Sequence, residues 1–273
     1  MQAFSLLEAW PVDTVAAAIV APDGSVQFHG DRTTVFSLAS VTKLLAAAGV
    51  HLAAEEGSVV LSNDVGVLAE GDTSRGATLA DALAHAGGFG PKGVILEDPG
   101  KRRIYSNGGY DLLAAAVESA TEMTFAEYLR LGLFEPLAMT STVLQGSAAF
   151  AGSSTVEDLV AFVRGLPQLL DSSTISAMTT PYLRELPGVL PGYGRQAPNT
   201  WGLGPEIRSA KAPHWTGSKN SPRTWGHFGQ AGTFVWVDPD AGVASIVLTN
   251  RTFGEWAIPL WPVFSNAVLD ELA

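Results

Sequence analysis

The chain has 273 residues, enough for one large domain or two modest lobes with a sizeable core. Its 27 acidic and 16 basic residues leave a net charge of −11, a field that disfavours nucleic acid and anionic membrane surfaces as partners. Cysteine is absent, which excludes disulfides, thiolate metal sites and a cysteine nucleophile.

Met1 to Trp10 carries neither a basic leader nor a cleavage site after an apolar stretch, so a cytoplasmic location is expected. The longest apolar runs, such as Val15 to Pro22 and Leu112 to Val117, fall far short of the roughly 18 residues a membrane span needs. Val15 to Val20 and Ser25 to His29, joined by Pro22-Asp23-Gly24, predict a β-hairpin, because Asp-Gly supplies the positive φ values of a tight turn. Val41, Leu44, Leu45, Ala48 and Leu52 recur at helical spacing, with Gly57 as the stop. Thr78 to Ala86 predicts a short helix closed by Gly87-Gly88, and Tyr110 to Ala120 and Phe125 to Leu133 predict two more. Thr155 to Leu166 opens on Thr155 with Asp158 three residues later, a loose capping-box pattern.

Gly188 to Ser221, rich in Gly, Pro, Ser and Trp, predicts loops and short strands. Thr233 to Val237 and Val243 to Thr249 form a second strand pair, and Leu260 to Leu269 a closing helix. Strands at both ends with helices between predict an α+β fold. Residues 1–60 and 188–273 form the lobe carrying an antiparallel sheet, and 61–187 an inserted, mainly helical lobe. The site is expected in the cleft between them.

Three constellations carry chemistry. The first is Ser40-Val41-Thr42-Lys43. Residues three apart share a helix face, so the hydroxyl and the amine sit one turn apart. A serine needs a base, and a lysine becomes one only if its pKa falls from about 10.4 towards 7–8, by burial or a nearby positive group. Of only five lysines, Lys43 alone lies in an apolar helical run. The bland alternative is an N-cap serine and a lysine that snorkels to solvent. The second is Tyr105-Ser106-Asn107, in which a tyrosine can share a lysine's proton and an asparagine can orient it and bind a carbonyl. A core tyrosine beside a capping asparagine accounts for the same residues. The third is Gly226-His227-Phe228-Gly229-Gln230-Ala231-Gly232, glycine-rich backbone beside a strand that can present an N–H to an oxyanion, or simply a turn with a solvent-facing histidine.

Together and in this order, the segments resemble the serine β-lactamase and penicillin-binding protein superfamily, in the branch of class C β-lactamases, DD-peptidases and related esterases. Phe36 to Lys43 is similar to its nucleophile segment, and Leu83-Ala84-His85-Ala86-Gly87-Gly88 to its L-x-H-x-x-G turn. Ile104 to Asn107 resembles its second motif, and Leu133 to Met139 a helix-ending signature; Trp201-Gly202-Leu203-Gly204 and His227-Phe228-Gly229 complete the set. The resemblance implies a β-lactamase/transpeptidase-like fold. It implies Ser40 as nucleophile, with Lys43 and Tyr105 shuttling its proton and the choice of formal base left open. Asn107 would hold Lys43 and the substrate, and the Ser40 and Gln230 N–H groups, beside Gly229, would form the oxyanion hole. His227 stands where β-lactamases usually have lysine, a weaker anchor for a substrate carboxylate. The short Phe89 to Ile104 connection trims one wall of the expected cleft.

Rival chemistries find little support. No Gly-x-Ser-x-Gly elbow occurs, His51 and Glu55 lack a His-Glu-x-x-His, and Gly-Leu-Gly at 202–204 lacks a third glycine. The expectation is an acyl-serine hydrolase of small esters or amides, needing no metal or cofactor. Weak β-lactamase or D-amino-acid/DD-peptidase activity is the alternative, and a catalytically silent ligand-binding relative the alternative of another class. Trp201, Trp215 and Trp225 are expected as an aromatic wall of the cleft or as core.

Overall fold

The computed structural model describes residues 1–68 and 75–273. Strands β1 (Val15–Val20) and β2 (Val26–His29) form the predicted hairpin, and Gly24, at φ +81°, takes the left-handed turn position. Short strands β3 (Phe36–Ser37), β4 (Val143–Leu144) and β5 (Gly152–Ser154) make a small sheet of order β3-β5-β4, and β6 (Gly188–Leu190) and β7 (Gly194–Gln196) make a hairpin. Strands β8 (Glu206–Ile207), β9 (Trp225–Gly229), β10 (Thr233–Asp238) and β11 (Val243–Thr249) complete an antiparallel sheet of order β2-β1-β11-β10-β9-β8. This is the expected α+β architecture, its main sheet assembled from both ends of the chain.

The helices are α1 (Thr42–Glu55), α2 (Val65–Leu68), α3 (Leu79–Leu83), α4 (Asn107–Thr121), α5 (Phe125–Leu129), α6 (Val156–Leu169), α7 (Ser172–Thr179) and α8 (Ala257–Leu272). Alternation along the strands buries both faces of the sheet. Ala16, Ala18, Val235, Ile246 and Leu248 face one way, into a core shared with α1, α4 and α6. Ala17, Ile19, Phe234, Trp236 and Val247 face the other, under Trp261, Phe264 and Val268 of α8. Helix α6, within the segment expected as the inserted lobe, packs directly on β1 and β11. Helix α1 is buried on every side from Thr42 to Ala53, because its alanines admit close neighbours all round. His51 within it hydrogen-bonds the Leu203 carbonyl at 2.8 Å, tying α1 to the Gly202–Gly204 loop.

Several boundaries moved for local reasons. Thr78 and Asp81 form a full capping box, whereas at Thr155 the Asp158 carboxylate turns away to accept from Ser141 N and Thr142 Oγ1. Helix α4 begins at Asn107, three residues before the predicted Tyr110, since Ser106 Oγ accepts from Gly109 N and caps it. Gln2–Ala9 forms an unpredicted 3-10 helix, held to α8 by Glu271, whose carboxylate accepts from the N–H groups of Gln2 and Ala3. No helix among the described residues is long and apolar enough to cross a membrane.

The α8 layer gives a stability test. Trp261 is fully buried and its indole N–H has no hydrogen-bond partner among the described residues. Trp261→Ala should cost about 3–5 kcal/mol in urea unfolding. Trp261→Phe, which keeps most of the apolar contact and forfeits no hydrogen bond, should cost less than half as much; equal losses would overturn this packing account.

Candidate active site

Ser40 sits in a 3-10 turn, Ala39–Val41, that runs straight into α1. Ala39 has φ +45°, a left-handed conformation that costs a residue with a side chain about 1–3 kcal/mol. The surroundings impose it. Leu38 N donates to Gly152 O at 2.9 Å, and Leu38 O accepts from Thr233 Oγ1 at 2.8 Å. Gly229, at the end of β9, lies so close that an added Cβ would stand 2.3 Å from Leu38 O. The glycine therefore lets the end of β9 approach the Ser40 turn.

One helical turn on, Lys43 is fully buried. Its Nζ lies 3.3 Å from Ser40 Oγ, 2.8 Å from Asn107 Oδ1 and 2.9 Å from the Ala149 carbonyl. None of these partners is a carboxylate. Burial lowers its pKa to about 7, with the Asp111 charge opposing the shift. The Lys43 nitrogen also stands 4.7 Å from the Tyr105 ring centroid and 5.4 Å from that of Tyr110.

Tyr105 is enclosed by His85, Trp201 and His227. Burial raises its pKa well above the usual phenol value, and a hydrogen bond to Ser40 offsets part of that rise. Its hydroxyl is 3.5 Å from His227 Nε2, a long contact. His227 Nδ1 lies 2.6 Å from the Phe228 carbonyl and must donate to it, which leaves Nε2 as the acceptor facing Tyr105. Burial, then the Lys43 charge, lower the His227 pKa to about 3, so the imidazole is neutral at ordinary pH.

Ser40, Tyr105, His227 and Gln230 all line one cavity of about 80 Å³, with Leu190, Pro191 and Trp201 as apolar walls. Lys43 and Asn107 lie behind Ser40, and Gly229 packs beneath it. The structure thus gathers every residue singled out in the three sequence segments. Of the three tryptophans, only Trp201 lines the cavity; Trp215 belongs to the core under α8, and Trp225 packs against the opposite core cluster. Tyr105 and Phe228, not the other two tryptophans, complete its aromatic lining.

Sequence reasoning missed Glu206, which also lines the cavity and is buried. Its carboxylate is paired with Lys211 Nζ, lies 2.9 Å from His214 Nε2 and accepts from Trp215 Nε1 at 2.5 Å. Although burial alone would raise its pKa, Lys211 and His214 hold it far below the usual carboxylate range. The only sequence signal was a glutamate two residues beyond Trp201-Gly202-Leu203-Gly204, in a segment without periodicity.

A sheet built from both chain ends, a serine heading a buried helix and a lysine beneath it define a β-lactamase-like serine hydrolase fold. The Beta-lactamase family model matches residues 12–261, and the chain belongs to that family. It is similar to a solved β-lactamase from Mycobacterium bovis, with 46 % identity, TM-score 0.94 and 99 % of each chain covered. The D-amino acid amidase of Ochrobactrum anthropi (19 % identity, TM-score 0.78, 96 % of this chain and 95 % of that one) is alike in fold alone. So is the simvastatin synthase of Aspergillus terreus (17 % identity, TM-score 0.79, 99 % and 93 %). Penicillin-binding protein 4* of Bacillus subtilis is 26 % identical over 136 residues, and the match spans 40 % of this chain and 30 % of that relative's length.

Two tests follow from the buried charges. Between about pH 7 and the free-lysine value, an unfolded Lys43 carries a proton that the folded one has lost, so its contribution makes stability rise with pH. The stability difference between wild type and Lys43→Met, from urea unfolding at pH 6.5, 8 and 9.5, should therefore shift in favour of wild type as pH rises; a flat difference would contradict a desolvated lysine. Glu206→Gln should cost about 3–5 kcal/mol, because it leaves Lys211 buried without its counter-charge. Adding Lys211→Met should restore part of that loss in the same measurement.

Proposed function

We propose that this protein is an acyl-serine hydrolase of small esters or amides. The observation that carries the reading is the Lys43 amine, buried without a carboxylate partner, lowered to about 7 and 3.3 Å from Ser40 Oγ. Such a lysine is substantially neutral near pH 7 and mostly so about one pH unit above it, with a lone pair to take the serine proton. Ser40 Oγ attacks the substrate carbonyl as its proton passes to Lys43 Nζ. The negative charge that develops on the carbonyl oxygen is held by the backbone N–H groups of Ser40 and Gln230. Collapse of the tetrahedral adduct breaks the bond to the leaving group, which takes up a proton relayed through Lys43 and the Tyr105 hydroxyl. Water then attacks the acyl carbon by the reverse relay, releasing the acid and restoring Ser40.

The raised Tyr105 pKa makes a resting phenolate costly, so Lys43 is the base and Tyr105 the relay. Asn107 Oδ1 fixes the amine at 2.8 Å. The small cavity and the neutral His227 favour a compact, uncharged acyl centre over a β-lactam carrying a carboxylate there. Weak β-lactamase activity is the second reading, supported by the 46 % identity to a solved β-lactamase.

Treatment with a fluorophosphonate should add one adduct mass to the wild-type protein, mapped to Ser40, and none to Ser40→Ala. Turnover of 4-nitrophenyl acetate should exceed that of nitrocefin; the reverse order would favour the second reading. The acylation rate should rise with pH to a plateau with a midpoint near 7, and Lys43→Met should lower it by about 10²–10⁴-fold and remove that inflection. An unlabelled Ser40, with wild type and Ser40→Ala alike, would sink the hydrolase reading.

A further inference from the structure

A second cavity, of about 710 Å³, adjoins the catalytic one; Tyr105 and Pro191 line both. One wall is the segment Arg102 to Tyr105, and the other is the β6–β7 hairpin. The two walls are tied together, since Arg103 N donates to Pro187 O at 2.8 Å and Arg103 bridges Gly188. The groove is therefore a built feature. Its charge is unusual for this molecule: Arg102, Arg103 and Arg195 all line it and, among the described residues, no carboxylate does, in a chain of net charge −11.

The three arginines are not equivalent. The Arg103 guanidinium is buried and spent on backbone carbonyls of Ala84, Asn199, Tyr182 and Leu183. Arg102 is half-exposed and paired with Glu97 at 2.5 Å. Arg195 is exposed and has neither an ion pair nor a hydrogen bond from its guanidinium among the described residues. It stands opposite Val189 in the β6–β7 register, so the two side chains share a face of the hairpin and line the groove together. An arginine fork beside an apolar surface is suited to a carboxylate carried on a short aliphatic chain.

We propose that this groove is an anion subsite, in which Arg195, with Arg102 beside it, binds a carboxylate carried by the substrate away from its scissile carbonyl. The inference rests on the hydrolase reading and names its substrate class: esters or amides bearing a remote carboxylate. It places the positive charge for substrate binding on the β6–β7 hairpin, since His227 beside the nucleophile is neutral.

The test measures binding to full-length Ser40→Ala, which holds an ester without acylation at that serine. Monoethyl glutarate, which carries the carboxylate, should bind at least tenfold more tightly than ethyl valerate, which does not. The preference should shrink in 0.5 M NaCl. Ser40→Ala/Arg195→Gln should bring the two affinities within about twofold of each other, and Ser40→Ala/Arg195→Lys should keep part of the preference. Equal affinities for the two esters, or a preference indifferent to Arg195→Gln, would overturn the subsite. Fluorophosphonate labelling of wild type separates the two readings. A labelled Ser40 without charge preference removes the subsite alone, and a charge preference with unlabelled Ser40 removes the hydrolase reading alone.

Discussion

The site depends on one costly interaction, the burial of the Lys43 amine with no carboxylate among its hydrogen-bond partners. A lysine in that position is stable only if it gives up its proton readily or finds enough oxygen ligands to replace water. Here it has three, from Ser40, Asn107 and the Ala149 carbonyl, and all are neutral. Neutral ligands fix the nitrogen without raising its pKa as a carboxylate would. The arrangement buries the amine and leaves it reactive.

Much of the surrounding fold positions those three ligands. Asn107 is the first residue of α4 because Ser106 caps that helix, so the cap also sets the amide. Ala149 lies just before β5, and β5 is anchored to the Ser40 turn through the Leu38–Gly152 bond and the Phe36–Ser154 pairing. The strained Ala39 backbone is held between β5 and the end of β9. Three distant stretches of chain thus meet at one turn, which ties the geometry of the nucleophile to the packing of both sheets.

What could be read from the sequence followed from periodicity and short spacing. Ser40 and Lys43 share a helix face whatever the tertiary fold, and the hairpin at Gly24 and the strands after Thr233 announce themselves by turn residues and alternation. The Ala149 ligand was invisible because a carbonyl oxygen has no residue signature. Glu206, Lys211 and His214 were invisible for a different reason. Glu206 sits on the two-residue strand β8 and Lys211 and His214 in the irregular segment after it, where no period relates one position to the next, and a carboxylate in a Gly- and Pro-rich stretch looks solvated until its partners are known. The N-terminal 3-10 helix likewise owes its existence to α8, a contact across almost the whole chain.

The charges around Ser40 are distributed in a way that isolates Lys43. Lys211, a second buried lysine, is neutralised by Glu206, and His214 shares the same carboxylate. His227 is held neutral by burial and by the Lys43 charge, while Tyr105 keeps its proton because a buried phenolate is costly. Burial acts on all of them, yet with opposite consequences. It pushes the imidazole and the phenol away from neutral pH, and it brings the amine, which starts highest among the bases, down to about 7. The same low-dielectric pocket therefore silences His227 and Tyr105 as charge carriers and activates Lys43. A hydrophobic helix, read first as an odd place for a lysine, is the physical source of its basicity at the pH where it is useful.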